Sequence, residues 1–343
     1  MSALTNPHRD YFRLVEAFDI HAASDLVVEL LDGGASMDWV TTEVLAPAQV
    51  RVGELWESGS WSVADEHVAT SVTEGALSAL THAATPRRGD HTRHVALACV
   101  EGEWHSLPAR MAAAVAGATG TVRVTMLGPS LPAEQLHRRL SAGDIDMIGL
   151  SCTMPTNLIG AARCIAAAHD LDVPVIIGGR ALGSTPQRAM ALGADGWAVD
   201  AKALVGPIPA LAGRSSVVSS EVLMLDAVDG AIIALAYDRI RGTFPHLARM
   251  TPYQQARTRE DLGWMARYTA AALLTSDVTI VGDLLVWLRA LLRGAVSATV
   301  ITTSAQLLAD TLEPQAALGA AMLRQAVGTV EMDMAGSVGD DTL

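Results

Sequence analysis

The sequence predicts a doubly wound parallel α/β domain, preceded by a four-helix cap and followed by an all-helical segment. Three observations carry this fold class. Short apolar runs alternate with helical stretches between 94 and 201, the pattern of a parallel sheet covered on both faces. Apolar residues recur at helical spacing on either side of that region. The chain has 343 residues, too many for one ordinary core and enough for two or three domains.

Residues 8–84 read as the cap. Leu14, Val15 and Phe18 mark its first helix, and Leu26, Val27, Leu30 and Leu31 its second, which Gly33 and Gly34 end. Ser36 can cap a third helix that runs through Trp39, Val40, Val44 and Leu45 to Leu55 and Trp56. Pro47 should kink that helix or shift its start. Gly59 breaks it, and Ser62 can cap a fourth helix carrying Glu66 and His67. The polar stretch 85–93 contains Pro and Gly and is expected to be a linker. Strands are expected at 94–100, 122–127, 147–152, 173–177 and 196–199, with helices between them, for example at 159–169. A helical domain from 215 to 330 should contain helices at 219–240, 252–275, 278–293, 297–312 and 314–327. The acidic end, 331–343, is expected to be disordered.

Composition excludes several functions. Half of the residues are hydrophobic, but no run is long and apolar enough for a membrane span, and residues 1–10 lack the core of a secretory signal. The net charge of −13 repels a phosphate backbone, so no nucleic-acid partner is expected. The three cysteines, Cys99, Cys152 and Cys164, form no spaced framework. Reduced thiols and a cytoplasmic location are the simpler expectation.

Ligands on such sheets bind beyond the carboxyl ends of the strands, which directs attention to three loops. The first reads Glu101-Gly102-Glu103-Trp104-His105-Ser106-Leu107-Pro108. A lone loop histidine is usually solvated surface. Here the Glu103 carboxylate, two residues earlier, could hold the far ring nitrogen of His105, as happens around metal-bound histidines. Ser151-Cys152-Thr153 ends the third strand with two hydroxyls, and Gly178-Gly179 ends the fourth, where a flat ligand could approach the backbone.

In this order, the loops resemble the cobalamin-binding domain in which the nucleotide base is displaced and a histidine takes its place. Its usual signature is Asp-x-His-x-x-Gly, then Ser-x-Leu or Ser-x-Thr, then Gly-Gly. The resemblance covers 94–201 and implies His105 as the cobalt ligand, with Glu103, Ser151, Thr153, Gly178 and Gly179 around the cofactor. Glu103 stands where Asp is usual and Pro108 where Gly is usual, which changes the loop backbone after His105.

Nine residues separate Trp56 from Glu66, and His67 follows directly. A turn at 58–61 would bring the three to one end of the bundle, where an indole can cover a planar ligand and a carboxylate can accept ribose hydroxyls. The same residues also fit a core Trp and a solvated Glu-His pair. Beside the downstream domain, the pattern resembles the cap of light-sensing, adenosylcobalamin-dependent repressors. That resemblance implies that Trp56 packs on the adenosyl group, Glu66 binds its ribose and His67 lines the same pocket. Those repressors place a histidine directly after the Trp. Glu57 stands there in this chain, so their bis-histidine photoproduct is not expected, and neither is their DNA-binding domain before the cap.

The C-terminal segment contains His246, Arg257, Arg259, Trp264, Arg267 and Tyr268, with Trp287 and Arg289 further on. Trp264, Arg267 and Tyr268 lie within about one helical turn. Arginines suit carboxylates and aromatics suit a conjugated ligand, although each residue singly also fits a core Trp with solvated charges. A helical domain after such a unit resembles the photocobilins, in which a globin-like C-terminal domain holds biliverdin. No cysteine follows Cys164, so a bilin here would bind without a thioether, its propionates on the arginines.

The resemblance implies a light-sensing regulator, not an enzyme, that loads adenosylcobalamin and biliverdin, signals to a protein effector and forms a homo-oligomer. The alternatives are a corrinoid methyl carrier of a methyltransferase system, which would leave the long helical end unexplained, and a light-independent cobalamin sensor.

Overall fold

The computed structural model describes residues 6–84, 93–211, 213, 217–292 and 296–339, without the side chains of 246, 248 and 333–339. Most of the linker expected at 85–93 lies outside them.

The cap consists of α1 (Pro7–Glu16), α2 (Ile20–Asp32), a short α3 (Met37–Trp39), a π-helical segment (Val40–Leu45), α4 (Ala46–Glu57) and α5 (Val63–Ala83). Pro47 shifts the helix start, as expected. Proline lacks an N–H and its ring crowds the carbonyl four residues earlier. The chain meets this with a wider π turn before α4, and Pro47 occupies the first turn of α4, where its missing donor costs nothing. Ser62 forms a full capping box with Asp65 and starts α5. Phe18 does not continue α1. It adopts a left-handed backbone in the turn to α2, and its ring packs 5.9 Å from that of Trp61.

The sheet comprises β1 (His94–Cys99), β2 (Arg123–Met126), β3 (Met147–Ser151), β4 (Val175–Gly178) and β5 (Gly196–Ala198). All neighbours are parallel, in the order β2-β1-β3-β4-β5. The order reverses between β1 and β3, and this switch point opens a crevice beyond their carboxyl ends. Helices α6 (Leu107–Ala118), α7 (Ala133–Leu140), α8 (Leu158–His169) and α9 (Gln187–Ala191) link the strands.

The two sheet faces pack differently. Val95, Leu97, Met147 and Ile176 face Ala116 of α6 and Leu204. The other face of α6, with Leu107, Met111 and Val115, enters the core of the cap beside Val40, Val44 and Leu77. Helix α6 therefore joins cap and sheet.

The opposite face, with Ala98, Ile148, Leu150 and Ile177, shares one continuous core with the C-terminal helices. These are α10 (Ser220–Asp226), α11 (Gly230–Thr243), α12 (Pro252–Thr275), α13 (Thr279–Leu291), α14 (Ala298–Leu312) and α15 (Ala317–Gly339). The pattern change after 202 thus divides two kinds of secondary structure and not two cores. Two expectations need correction. The helix read at 219–240 is two helices, because Asp229 accepts the Ala231 N–H at 2.8 Å and caps a new start before Gly230. The end expected to be disordered from 331 is helical through Gly339, and residues 340–343 lie outside the described residues.

Candidate functional site

The loop after β1 turns sharply at Gly102, whose φ of +88° suits glycine. An added Cβ there would approach Oδ1 of Asn157 to 2.9 Å. The turn sends the Glu103 side chain inward, where it is fully buried. Both of its oxygens are occupied. Oε1 accepts the His105 backbone N–H at 2.9 Å and lies 2.5 Å from His105 Nδ1. Oε2 accepts the N–H groups of Thr153 at 2.7 Å and Met154 at 2.9 Å, and Nδ2 of Asn157 at 3.1 Å.

These contacts set the protonation of the pair. Burial alone would raise the pKa of Glu103, but the bonds from His105, Met154 and Thr153 outweigh it and bring it down to about 2. An ionised carboxylate only accepts, so Nδ1 of His105 carries the proton and a neutral ring presents its lone pair at Nε2. The Glu103 hydrogen bond raises the pKa of His105 above the ordinary imidazole value. Burial opposes that shift, and the charges of Glu103 and Glu66 reinforce it. More than half of the His105 side chain is exposed, and no hydrogen bond to its Nε2 is found among the described residues. An oriented imidazole with an outward lone pair is a metal ligand by its chemistry.

Glu66 acts on His105 from the cap. It lies in the first turn of α5, and Trp56 in the last turn of α4. The tight turn between these helices, with Trp61 N–H on Leu55 O at 2.9 Å, sets both residues at one end of the cap. Trp56 is 39% exposed, a large apolar surface left outside the core. Oε1 of Glu66 accepts from Thr70 Oγ1 at 2.9 Å, and Thr70 also reaches Gln49 Oε1 at 3.2 Å. Gln49 Nε2 donates to Thr73 Oγ1 at 2.6 Å, which Tyr11 OH meets at 3.2 Å. This chain of polar groups anchors Glu66 to the core of the cap. His67 Nε2 lies 3.5 Å from Glu66 Oε2 and is largely exposed.

A cleft of about 320 Å³ runs between the cap and the carboxyl ends of β3, β4 and β5. Ser151, Gly178, Gly179, Ala198 and Asp200 form one wall, α6 its floor, and Asp38, Thr41, Thr42 and Ala46 of the cap the other wall. Both glycines expected for close ligand approach line it, but the protein's own backbone also requires them. A Cβ on Gly179, whose φ is +107°, would collide with the Cys152 carbonyl, and one on Gly178 would come within 2.9 Å of the Ala198 carbonyl. Thr153 contributes its N–H to Glu103, while its hydroxyl is buried and has no hydrogen-bond partner among the described residues.

The arginine and aromatic residues of the last third make several ring contacts among the described residues. Trp264 and Tyr268 meet edge-on at 6.4 Å, and the Arg267 guanidinium lies 4.1 Å over the Trp264 ring. Arg259 instead stacks on Tyr237 at 4.1 Å. Arg257 is exposed and pairs with Glu260 at 2.5 Å. The side chain of His246 lies outside the described residues. The thiols of Cys99 and Cys164 are pushed up to about 11, chiefly by burial, and all three cysteines are free and buried; such thiols are inert.

Sequence reasoning missed Asn157, Met154 and the exposed Trp104 beside His105. Asn157 and Met154 lie fifty residues from the loop they brace, and only the pairing of β1 with β3 brings them there. The signal for Trp104 was present, since an indole between Glu103 and His105 that is 72% exposed has no core to enter.

Residues 93–205 match the family model described as the B12 binding domain, and residues 8–81 match a second model of that description. Among curated proteins, the HTH-type transcriptional repressor CarH of Myxococcus xanthus is 39% identical over 150 residues, 42% of this chain and 48% of that protein. The match thus spans about half the length of this relative. The structure of the Methanosarcina barkeri monomethylamine corrinoid protein matches with a TM-score of 0.51 and 17% identity, over 58% of this chain and 95% of its own. At that identity the likeness shows a common fold. Together these matches support a cobalamin cofactor for this chain, and the donor set at Glu103 and His105 fits one.

Proposed function

We propose that this protein is a light-sensing regulator that holds adenosylcobalamin between its cap and its sheet edge. The carrying observation is the Glu103–His105 pair, with the carboxylate buried, the imidazole more than half exposed and Nε2 without a hydrogen bond among the described residues. The relation to a repressor supports a regulatory reading.

His105 would hold the cobalt through Nε2, with Glu103 fixing the tautomer and ring orientation. Gly178, Gly179 and Ser151 would flank the displaced nucleotide base in the cleft. On the upper side, Trp56 would cover the adenine, Glu66 would accept the ribose hydroxyls, and His67 would line the same space. When bound, adenosylcobalamin supplies a cobalt–carbon bond that visible light breaks. Trp56 and Glu66 would hold the adenosyl group, and without it the cap, joined to the sheet through α6, would be free to repack. A protein effector would read that change.

The finer part of the reading places a noncovalent biliverdin in the C-terminal helices. Trp264, Arg267 and Tyr268 support it, and with no cysteine after Cys164 such a bilin would lack a thioether. The methyl-carrier reading shares the cap-and-sheet plan but gives the C-terminal helices no task.

Reconstitution of the full chain with adenosylcobalamin and biliverdin, followed by dark and illuminated spectra, tests both parts. The expected result is a light-dependent change with cobalamin retained on the protein, and a sharpened bilin band that acid–urea releases. Equal binding of methyl- and adenosylcobalamin, with the same backbone hydrogen exchange before and after light, would favour the methyl carrier. An unchanged biliverdin spectrum would remove the bilin.

A further inference from the structure

We infer that the cap itself reads the nucleotide tail of the corrinoid, through Thr41 and an Asp38–Lys202 latch at the mouth of the cleft. The inference rests on the cobalamin reading above and assigns the cap a binding role on the tail side, separate from the adenosyl side.

Thr41 is only 4% exposed and lines the cleft from the cap. Its hydroxyl is buried and has no hydrogen-bond partner among the described residues. Threonines inside helices usually satisfy themselves on the carbonyl one turn back, and this chain follows that habit elsewhere. Thr42, Thr81, Thr269, Thr275 and Thr311 each donate to the carbonyl four residues earlier, at 2.7–2.9 Å. Thr41 does not. It lies in the π-helical segment, a geometry often associated with functional sites. An orphaned buried hydroxyl calls for an explanation, and a ligand group in the adjoining cleft supplies one.

The second observation is the closure of that cleft. Oδ2 of Asp38 lies 3.7 Å from Nζ of Lys202. Asp38 belongs to the cap and Lys202 to the turn after β5, so the pair bridges the two walls. Lys202 is the only lysine in the chain, every other cationic side chain apart from histidine being arginine. The pair is long and partly exposed, which makes it weak and easily opened. A compact ammonium on a flexible stem can also leave a carboxylate for a phosphate.

The nucleotide tail carries an aromatic base, ribose hydroxyls and a phosphodiester, and each meets suitable chemistry here. The apolar walls accept the base, Thr41 offers a hydrogen bond in the buried part, and Lys202 offers a positive charge at the mouth. The cap then closes fully only on a corrinoid that has its tail, so cap closure reports a complete cofactor.

The test compares cobalamin with cobinamide, which shares the corrin ring but lacks the nucleotide, by absorbance titration and dissociation rate on the full-length chain. Wild type should prefer cobalamin. Thr41→Val should weaken cobalamin binding about tenfold and leave cobinamide within about twofold, while Thr41→Ser should restore the preference. Lys202→Met should speed the dissociation of cobalamin and leave that of cobinamide unchanged. Empty Thr41→Val protein should melt no lower than wild type, since it loses a hydroxyl that bonds nothing. Equal weakening of both ligands by Thr41→Val, or of neither, overturns the inference. Equal binding of both ligands by wild type overturns it too while leaving cobalamin binding standing, whereas wild type that binds neither ligand overturns the cobalamin reading itself.

Discussion

Glu103 shows how a single side chain can couple three segments. It receives one pair of bonds from its own loop and three from residues 153–157, so the orientation of His105 depends on the alignment of the β1 and β3 ends. Glu103→Gln should lower cobalamin affinity by about 10–100-fold, the usual cost of removing a carboxylate behind a metal-bound imidazole. Asn157→Ala, which removes one of five donors, should cost less. An absorbance titration measures both, and wild-type affinity in Glu103→Gln would show that the pair is structural. In the cap, Glu66→Ala should reduce the preference for adenosyl- over methylcobalamin by about 1–3 kcal/mol, because only the former has ribose hydroxyls to offer. Equal weakening of both would mean that Glu66 serves the Thr70–Gln49 network alone. The Glu103–His105 bond was legible in the sequence because its partners are two residues apart. The glycine pair was legible only in part, since nothing local reveals that the Cys152 and Ala198 carbonyls press on it.

At the level of elements, periodicity served where a helix or strand follows its own pattern and failed where a local cap decided. Helix α12 occupies the 252–275 expected for it, with Thr251 and Gln254 closing a capping box. The break at 227–229 was signalled by Asp229-Gly230, but the apolar run across it masked the cap. The helical end to Gly339 was hidden by its acidic composition. Contact between elements is where a pH effect belongs. The turn from α12 to α13 is tied to α9 by Arg188 Nε on Asp277 Oδ2 at 2.7 Å, and Arg188 also reaches Thr279 Oγ1 at 3.1 Å. Burial tends to raise the pKa of Asp277, but bonds from Thr279 and Arg188 bring it below the ordinary carboxylate value. A carboxyl depressed by folding stabilises the fold above its unfolded pKa, about 3.9, and that contribution is lost as pH falls through the folded value. Asp277→Asn should therefore lower the melting temperature near pH 7 and have a fading effect below about pH 4. A penalty independent of pH would assign the loss to packing instead of charge.

On the scale of the whole molecule, the sheet and the C-terminal helices share one buried core, with the cap joined to the sheet through α6. Their sharing of a core could not be read from the sequence, because the pattern change at 202 resembles a domain boundary and the docking of α12 beside residues 155–157 is set by side chains distant in the chain. Leu308→Ala, at a fully buried position on α14, should destabilise by about 2–5 kcal/mol and lower the hydrogen-exchange protection of β3 and β4 as well as of α14. Unchanged protection in the strands would show two independent bodies. The continuity also gives the C-terminal helices a physical route to the site, since Asn157 braces Glu103 and the turn 155–157 that holds it lies against α12. The central claim, His105 as the ligand below cobalt, is tested most directly by electron paramagnetic resonance of the protein loaded with cob(II)alamin after labelling its histidines with ¹⁵N. Ligation by His105 predicts that the nitrogen superhyperfine triplet becomes a doublet on labelling and that the doublet is absent in His105→Ala. A triplet that persists in the labelled wild type would mean that the cofactor's own base holds the cobalt, and would contradict the account.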